Sequence, residues 1–105
     1  MFYSKKIHSR YVELKKDLPE ECVLLIQVGT FMQVMEKDAR KVGEITGIKL
    51  QMVGDVDAPI VIGGFPKSGL DSYIGKLARA GTSAAVAMQD ENKERHITEI
   101  VRIQT

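Results

Sequence analysis

The chain has 105 residues, 44% of them hydrophobic and 28% charged, with nine glycines, three prolines and a formal net charge of +1. That size suits one domain with a core of its own and leaves no room for a second folding unit, so a single domain over 1–105 is expected. The composition excludes a disordered or collagen-like chain, and the near-neutral charge argues against tight unaided binding of DNA, because phosphate neutralisation supplies most nonspecific affinity.

From Ser4 to about Lys16, Ile7, Tyr11 and Leu14 recur at helical spacing with Ser4 as a cap, which predicts an amphipathic helix. Lys5, Lys6, Arg10, Lys15 and Lys16 stand against Glu13 and Asp17 and give it a basic face. No apolar run near Met1 is long enough for a secretory signal or a membrane-spanning helix, so no membrane partner and a cytoplasmic location are expected. Cys22 is the only cysteine; it allows no intrachain disulfide and suits a small buried hydrophobe.

Val23 to Val28 is an apolar, β-branched run of the kind buried on both faces of a sheet, closed by Gly29. Thr30 followed three residues later by Gln33 has the capping-box form and predicts a helix that starts at Phe31. Its apolar stripe is Met35, Ala39 and Val42, joined by Val34 and Ile45, and Gly47 ends it. Ile48–Met52 and Ile60–Phe65 are predicted strands around the turn residues Gly54 to Pro59. Leu70, Tyr73, Ile74, Leu77 and Ala80 mark a further helix, opened at Pro66 or Ser68 and ended by Gly81. Thr82–Met88 and His96–Ile103 are strands around a charged turn, Asp90 to Glu94. The sum is an α/β fold of α+β character, a mixed sheet of five to six strands with three helices packed on it.

Two blocks carry a family resemblance. CVLLIQVGTFMQVMEKDA, Cys22 to Ala39, resembles the strand, G-x-F-x-E junction and helix of the N-terminal mismatch-recognition domain of the bacterial mismatch-repair protein MutS. GGFPKSGLDSYIGKLARAGTSAAVAMQD, Gly63 to Asp90, is similar to that family's G-x-P turn, its N-Y-L-x-K-L-like helix and the strand that follows. The likeness runs from about Ser4 to Thr105. It implies a noncatalytic DNA-binding module without cofactors, whose partners are double-stranded DNA with mispaired or looped bases, held weakly by this chain alone, and the rest of a MutS-like chain or another repair protein.

The resemblance also implies roles. Phe31 matches the phenylalanine that stacks on the mispaired base, and an apolar wedge at such a position can enter a base step and kink the duplex. Gln33 stands where the family has a glutamate that hydrogen-bonds the base, so the negative charge is lost while a donor and an acceptor remain. Thr30 replaces the usual Asp. Gln51, Met52 and Val53 replace a stretch that often carries a Lys-Arg pair, leaving Met52 near the DNA with Lys49 as a nearby charge, and Ile62 with Gly63 falls beside the second DNA-facing loop. The changes at Gln33 and Met52 keep a second class of function open: a scaffold or protein-interaction domain that has lost mismatch reading. Exposure of Phe31 discriminates the two.

Catalysis finds no support in the residues. His8 and His96 lack neighbours at metal-ligand spacing, no G-x-x-x-x-G-K-[ST] loop exists and so no ATPase is expected, and Asp55 and Asp57 sit in a turn as turn formers do. Lys67, Lys76 and Arg79 are basic residues of a solvated helix face that can also meet phosphates.

Overall fold

A computed structural model describes residues 2–103. In chain order it has α1 (Lys5–Lys15), β1 (Val23–Val28), β2 (Phe31–Met35), α2 (Glu36–Thr46), β3 (Leu50–Asp55), β4 (Ala58–Pro66), a single 3-10 turn (Lys67–Gly69), α3 (Leu70–Arg79), β5 (Ala84–Gln89) and β6 (Arg95–Val101). The strands form one sheet in the order β3-β4-β2-β1-β5-β6, with β1 parallel to β5 and every other pair antiparallel. This is the mixed sheet with three helices that the hydrophobic periods predict.

The period of two along the strands sorts side chains into two apolar layers. Val23, Leu25, Met32, Val34, Phe65 and Val86 pack on one face with Ala39 and Val42 of α2 and Leu77 of α3. Leu24, Ile26, Met35, Ile62, Ala85 and Ala87 pack on the other with Ile7 and Tyr11 of α1. β1 lies between β2 and β5 with helices on both sides, which is why four successive residues, Val23 to Ile26, have no exposed surface.

The predicted helix start at Phe31 is corrected by the structure. The chain reverses at Gly29-Thr30, Val28 pairs with Phe31, and a strand runs on to Met35 before α2 opens at Glu36. Gly29, at the first central position of this two-residue turn, has φ +62°, as a type II′ hairpin turn requires. Both faces of β2 are covered, so Met32 and Val34 bury on one side while Gln33 and Met35 bury on the other. A helix over the same residues would sink only one stripe. The predicted stripe therefore divides: Ala39, Val42 and Ile45 belong to α2 and face its core, whereas Val34 and Met35 belong to the sheet. Thr30 and Gln33 form no capping box. α2 begins without a side-chain cap and carries Glu36 and Asp38 in its first turn, where negative charge offsets the helix dipole.

The hairpin β3–β4 is longer than predicted. β3 begins at Leu50, its turn shrinks to Val56-Asp57, and β4 runs through Pro59. Proline is tolerated there because β2 pairs only with Ile62 to Pro66, so the side of Pro59 away from β3 lacks a strand that would need its missing N–H.

One buried charge ties the layers. Asp38 is 6% exposed and accepts from the Leu24 amide at 3.0 Å, from Lys15 Nζ at 3.0 Å and from the Tyr11 hydroxyl. Burial, reinforced by the Asp38 charge, pushes the Tyr11 hydroxyl well above its ordinary value of 10.0. Folding therefore holds that proton, and the stability it contributes is complete below about pH 10 and lost as pH rises through the folded value. Tyr11→Phe should cost about 2 kcal/mol at neutral pH, the scale of a hydrogen bond to a charged group, and should flatten the alkaline limb of a stability–pH profile measured by urea unfolding. The same contacts use up basic charge on α1: Lys15 is held by Asp38, Arg10 by Glu13 and the Arg95 carbonyl.

Candidate nucleic-acid interface

One end of the sheet is built by the turn Gly29-Thr30, the start of β2 and the end of β4. Phe31 pairs with Val28 on one side and Pro66 on the other, and the Lys67 amide donates to the Thr30 carbonyl at 2.8 Å. Two glutamines brace the turn from the β5 side. Gln89 Oε1 accepts from the Gly29 amide at 3.0 Å, and Gln27 Nε2 donates to the Gly29 carbonyl at 3.0 Å while its Oε1 accepts from the Gln89 amide at 2.8 Å. Both main-chain groups of Gly29 are thus satisfied. A turn fixed in this way holds the neighbouring Phe31 at a set angle, so little ordering cost remains for a partner to meet.

The Phe31 ring is 44% exposed. It forms a wall of two depressions: an open one of about 690 Å³ with Gln27, Gly29, Thr30, Pro66, Lys67 and Ser68, and a groove of about 410 Å³ with Phe2, Val28, Gln33 and Gln51. Neither lining contains an acidic side chain, and Lys67 supplies the single positive charge. The surface is apolar at its centre, amide-rich at its edge and free of groups that would repel a phosphate.

The residues singled out by sequence separate into four groups. Thr30 and Phe31 lie together at the tip, both exposed. Gln33 is on the same face of β2, two residues further in, but buried at 1% exposure with Nε2 donating to the Phe2 carbonyl at 2.5 Å. Lys49 is exposed where the chain enters β3, two strands from β2. Met52 is 59% exposed, yet it pairs with Val61, five residues along β4 from Pro66 and so roughly 17 Å from the Phe31 row. Ile62 and Gly63, expected beside a DNA-facing loop, lie inside β4. β4 is continuous there: Ile62 has no exposed surface, and Gly63 is buried beneath Leu50 and Ile48, where a Cβ would come within 2.8 Å of Leu50 Cδ2.

Gln27, Gln89 and Phe2 were not singled out for this end of the molecule. The signal for Gln27 is its place inside an apolar central strand, where a polar side chain must find a partner. Phe2 gives no such signal, because its contact with Gln33 spans 31 positions. Among the described residues no three of His, Cys, Asp and Glu converge as a metal site requires, and no helix is long and apolar enough to cross a membrane.

The model of the family described as MutS domain I matches residues 5–105. This chain belongs to the MutS domain I family. Among its relatives, a protein named DNA mismatch repair protein MutS from Flavobacterium johnsoniae is 33% identical over 100 residues, covering 88% of this chain and 11% of the relative. The protein of the same name from Porphyromonas gingivalis is 35% identical over 94 residues (89% and 10%), and that from Parabacteroides distasonis 35% over 100 residues (88% and 11%). The chain thus spans about a tenth of the length of the MutS proteins it matches. The two blocks that resemble MutS domain I meet in space at the Phe31 tip: the first supplies Gly29 to Phe31, the second supplies Pro66, Lys67 and Gln89.

Proposed function

We propose that this chain is a noncatalytic DNA-reading domain that inserts Phe31 at mispaired or unpaired bases, acting in mismatch repair. The observation that carries the reading is a half-exposed phenyl ring at a braced hairpin tip without acidic neighbours. An apolar side chain pushed into a base step from the minor groove unstacks it at a cost of about a few kcal/mol, and that cost falls where pairing is already defective. The wedge converts weak local pairing into preference. With a net charge of +1 and two of the α1 cations engaged in internal contacts, affinity for DNA is low for the chain alone. The remainder of a MutS-length protein would supply the rest. This reading places the chain where the DNA is, in the cytoplasm of a bacterium.

Gln33→Glu separates charge from fit. A carboxylate at this buried position faces the Phe2 carbonyl, so it binds a proton more tightly folded than unfolded; the stability it retains below its unfolded pKa is lost as pH rises through the folded one. The variant should be less stable than wild type by about 1–3 kcal/mol at pH 8 and by less at pH 5, as measured by urea unfolding. An equal loss at both values would show that the side chain escapes to solvent.

A scaffold or protein-interaction role is favoured by a different observation, the edge strand β3 with exposed Leu50 and Met52 and the fully open Val56 at its turn. Fluorescence anisotropy with matched, G·T-mispaired and single-base-looped duplexes at low salt decides. Tighter binding of the defective duplexes supports the DNA reading; absence of binding to all three supports the other.

A further inference from the structure

Among the described residues β3 and β6 are the two edges of the sheet, and they differ in how they meet solvent. β6 carries the charged residues Arg95 and Glu99, and a register shift at Val86/Ala87 interrupts its pairing with β5. Charges and bulges of this kind keep other strands away from an edge. β3 has no such protection along its middle. Between Leu50 and Val53 it carries no charge and no proline, its register with β4 is unbroken, and five of its six residues are exposed, Leu50 and Met52 among them.

The direction of the main-chain groups on β3 follows from the neighbouring strands. The Lys67 amide donates to the Thr30 carbonyl, so by antiparallel alternation Gly63 bonds toward β2 and Ile62 toward β3. Gln51 and Val53 therefore bond to β4, and the N–H and C=O of Leu50 and Met52 point off the edge. Opposite charges flank this row: Lys49 precedes it and Asp55 closes it, both exposed. The contact of Asp55 with Lys5 at 3.6 Å is a surface pair of little worth and leaves the carboxylate open to a further cation.

We infer that a second copy of this chain adds its own β3 antiparallel to this edge, about a two-fold axis at Met52. In that register the two Met52 residues exchange their outward N–H and C=O groups, as an isologous contact requires. Leu50 lies opposite Gly54, which has no side chain to crowd it, and Lys49 lies opposite Asp55 on both sides of the axis. A register shifted toward Leu50 sets Lys49 against Val53, and one shifted the other way runs into the Val56-Asp57 turn. Gly54, at φ +88°, leaves the extended region, so the ladder is short and the dimer weak. This goes beyond the DNA reading, whose Phe31 row lies at the far end of β4, and gives the interaction reading of β3 a definite partner.

Sedimentation equilibrium of the chain from about 10 µM to about 1 mM tests this. Wild type should pass from the 11.7 kDa monomer to twice that mass, with half of the chains paired near about 100 µM, as suits a small interface. Met52→Lys sets like charges face to face on the axis and should weaken association at least about tenfold. Ile100→Lys, an exposed position on the opposite edge, should change nothing. Lys49→Asp and Asp55→Lys should each weaken association about fivefold, and both exchanges in one chain should restore it, because each altered charge then meets its altered mate. Thermal melting by circular dichroism checks that the variants fold; should Met52→Lys melt early, the exchange of the two exposed charges carries the test. A chain that stays monomeric at about 1 mM would overturn the dimer and leave the interaction reading of β3 to a partner of another sequence. A dimer untouched by Met52→Lys, or one that the double exchange fails to restore, would overturn it as well.

Discussion

Asp38→Ala is expected to destabilise the protein by about 3 kcal/mol, a fall in melting midpoint of roughly 12–24 °C for a chain of this size. The carboxylate serves three donors at once. Removing it leaves the Leu24 amide without an acceptor on a strand residue with no exposed surface, and strands the hydroxyl of Tyr11, itself 3% exposed. Each orphan costs about 1–3 kcal/mol. Lys15 adds less, because its amine keeps the Cys22 carbonyl and is partly open to water. Asp38→Asn preserves an acceptor for two of the donors and should lose about half as much. Differential scanning calorimetry of the three proteins checks the order, and an alanine variant melting within about 3 °C of wild type would mean that the layers hold without this tie.

Phe31→Ala is expected to do the reverse: leave the fold nearly unchanged and remove the preference for defective DNA. The ring is nearly half exposed and contributes to neither core layer, so the stability loss should stay below about 1 kcal/mol. A base stacked on an aromatic side chain is worth about 1–3 kcal/mol, which corresponds to a loss of roughly 5–150-fold in affinity for a looped duplex. Matched duplex should be bound as before, with unchanged salt dependence, because its contacts are with phosphates. Phe31→Tyr should keep the preference and Phe31→Leu should keep part of it. An equal loss on matched and looped DNA would reduce Phe31 to a general surface contact, and unchanged discrimination would remove the wedge altogether.

The elements carried by a clean period were legible in the sequence. Ile7, Tyr11 and Leu14 gave α1 with Ser4 as its cap, Val23 to Val28 gave the doubly buried strand, and Leu70 to Leu77 gave α3. The junction after Gly29 was not, because T-x-x-Q satisfies a capping box locally while G-T also satisfies a hairpin turn. What decides between them is non-local: β4 arrives beside β2 and both faces are already covered, so alternation wins over the helical stripe. The tip was half legible. Phe31 stood out through resemblance and is exposed, whereas Gln89 and Phe2 reach it through contacts 60 and 31 positions apart, which local spacing does not reveal. Asp38 escaped notice for a related reason: it sits in a charged stretch of α2, and only the approach of α1 and β1 makes it interior.

The central claim is that DNA is read by the hairpin tip. Its most direct test is an amide chemical-shift titration of the 15N-labelled chain with a single-base-looped duplex, using the matched duplex as reference. The account predicts loop-specific shifts concentrated at Gly29, Thr30, Phe31, Lys67 and Gln89, with α2 and β6 unmoved. Shifts centred on α2 or β6 with the tip silent, or the same pattern for matched and looped DNA, would contradict it.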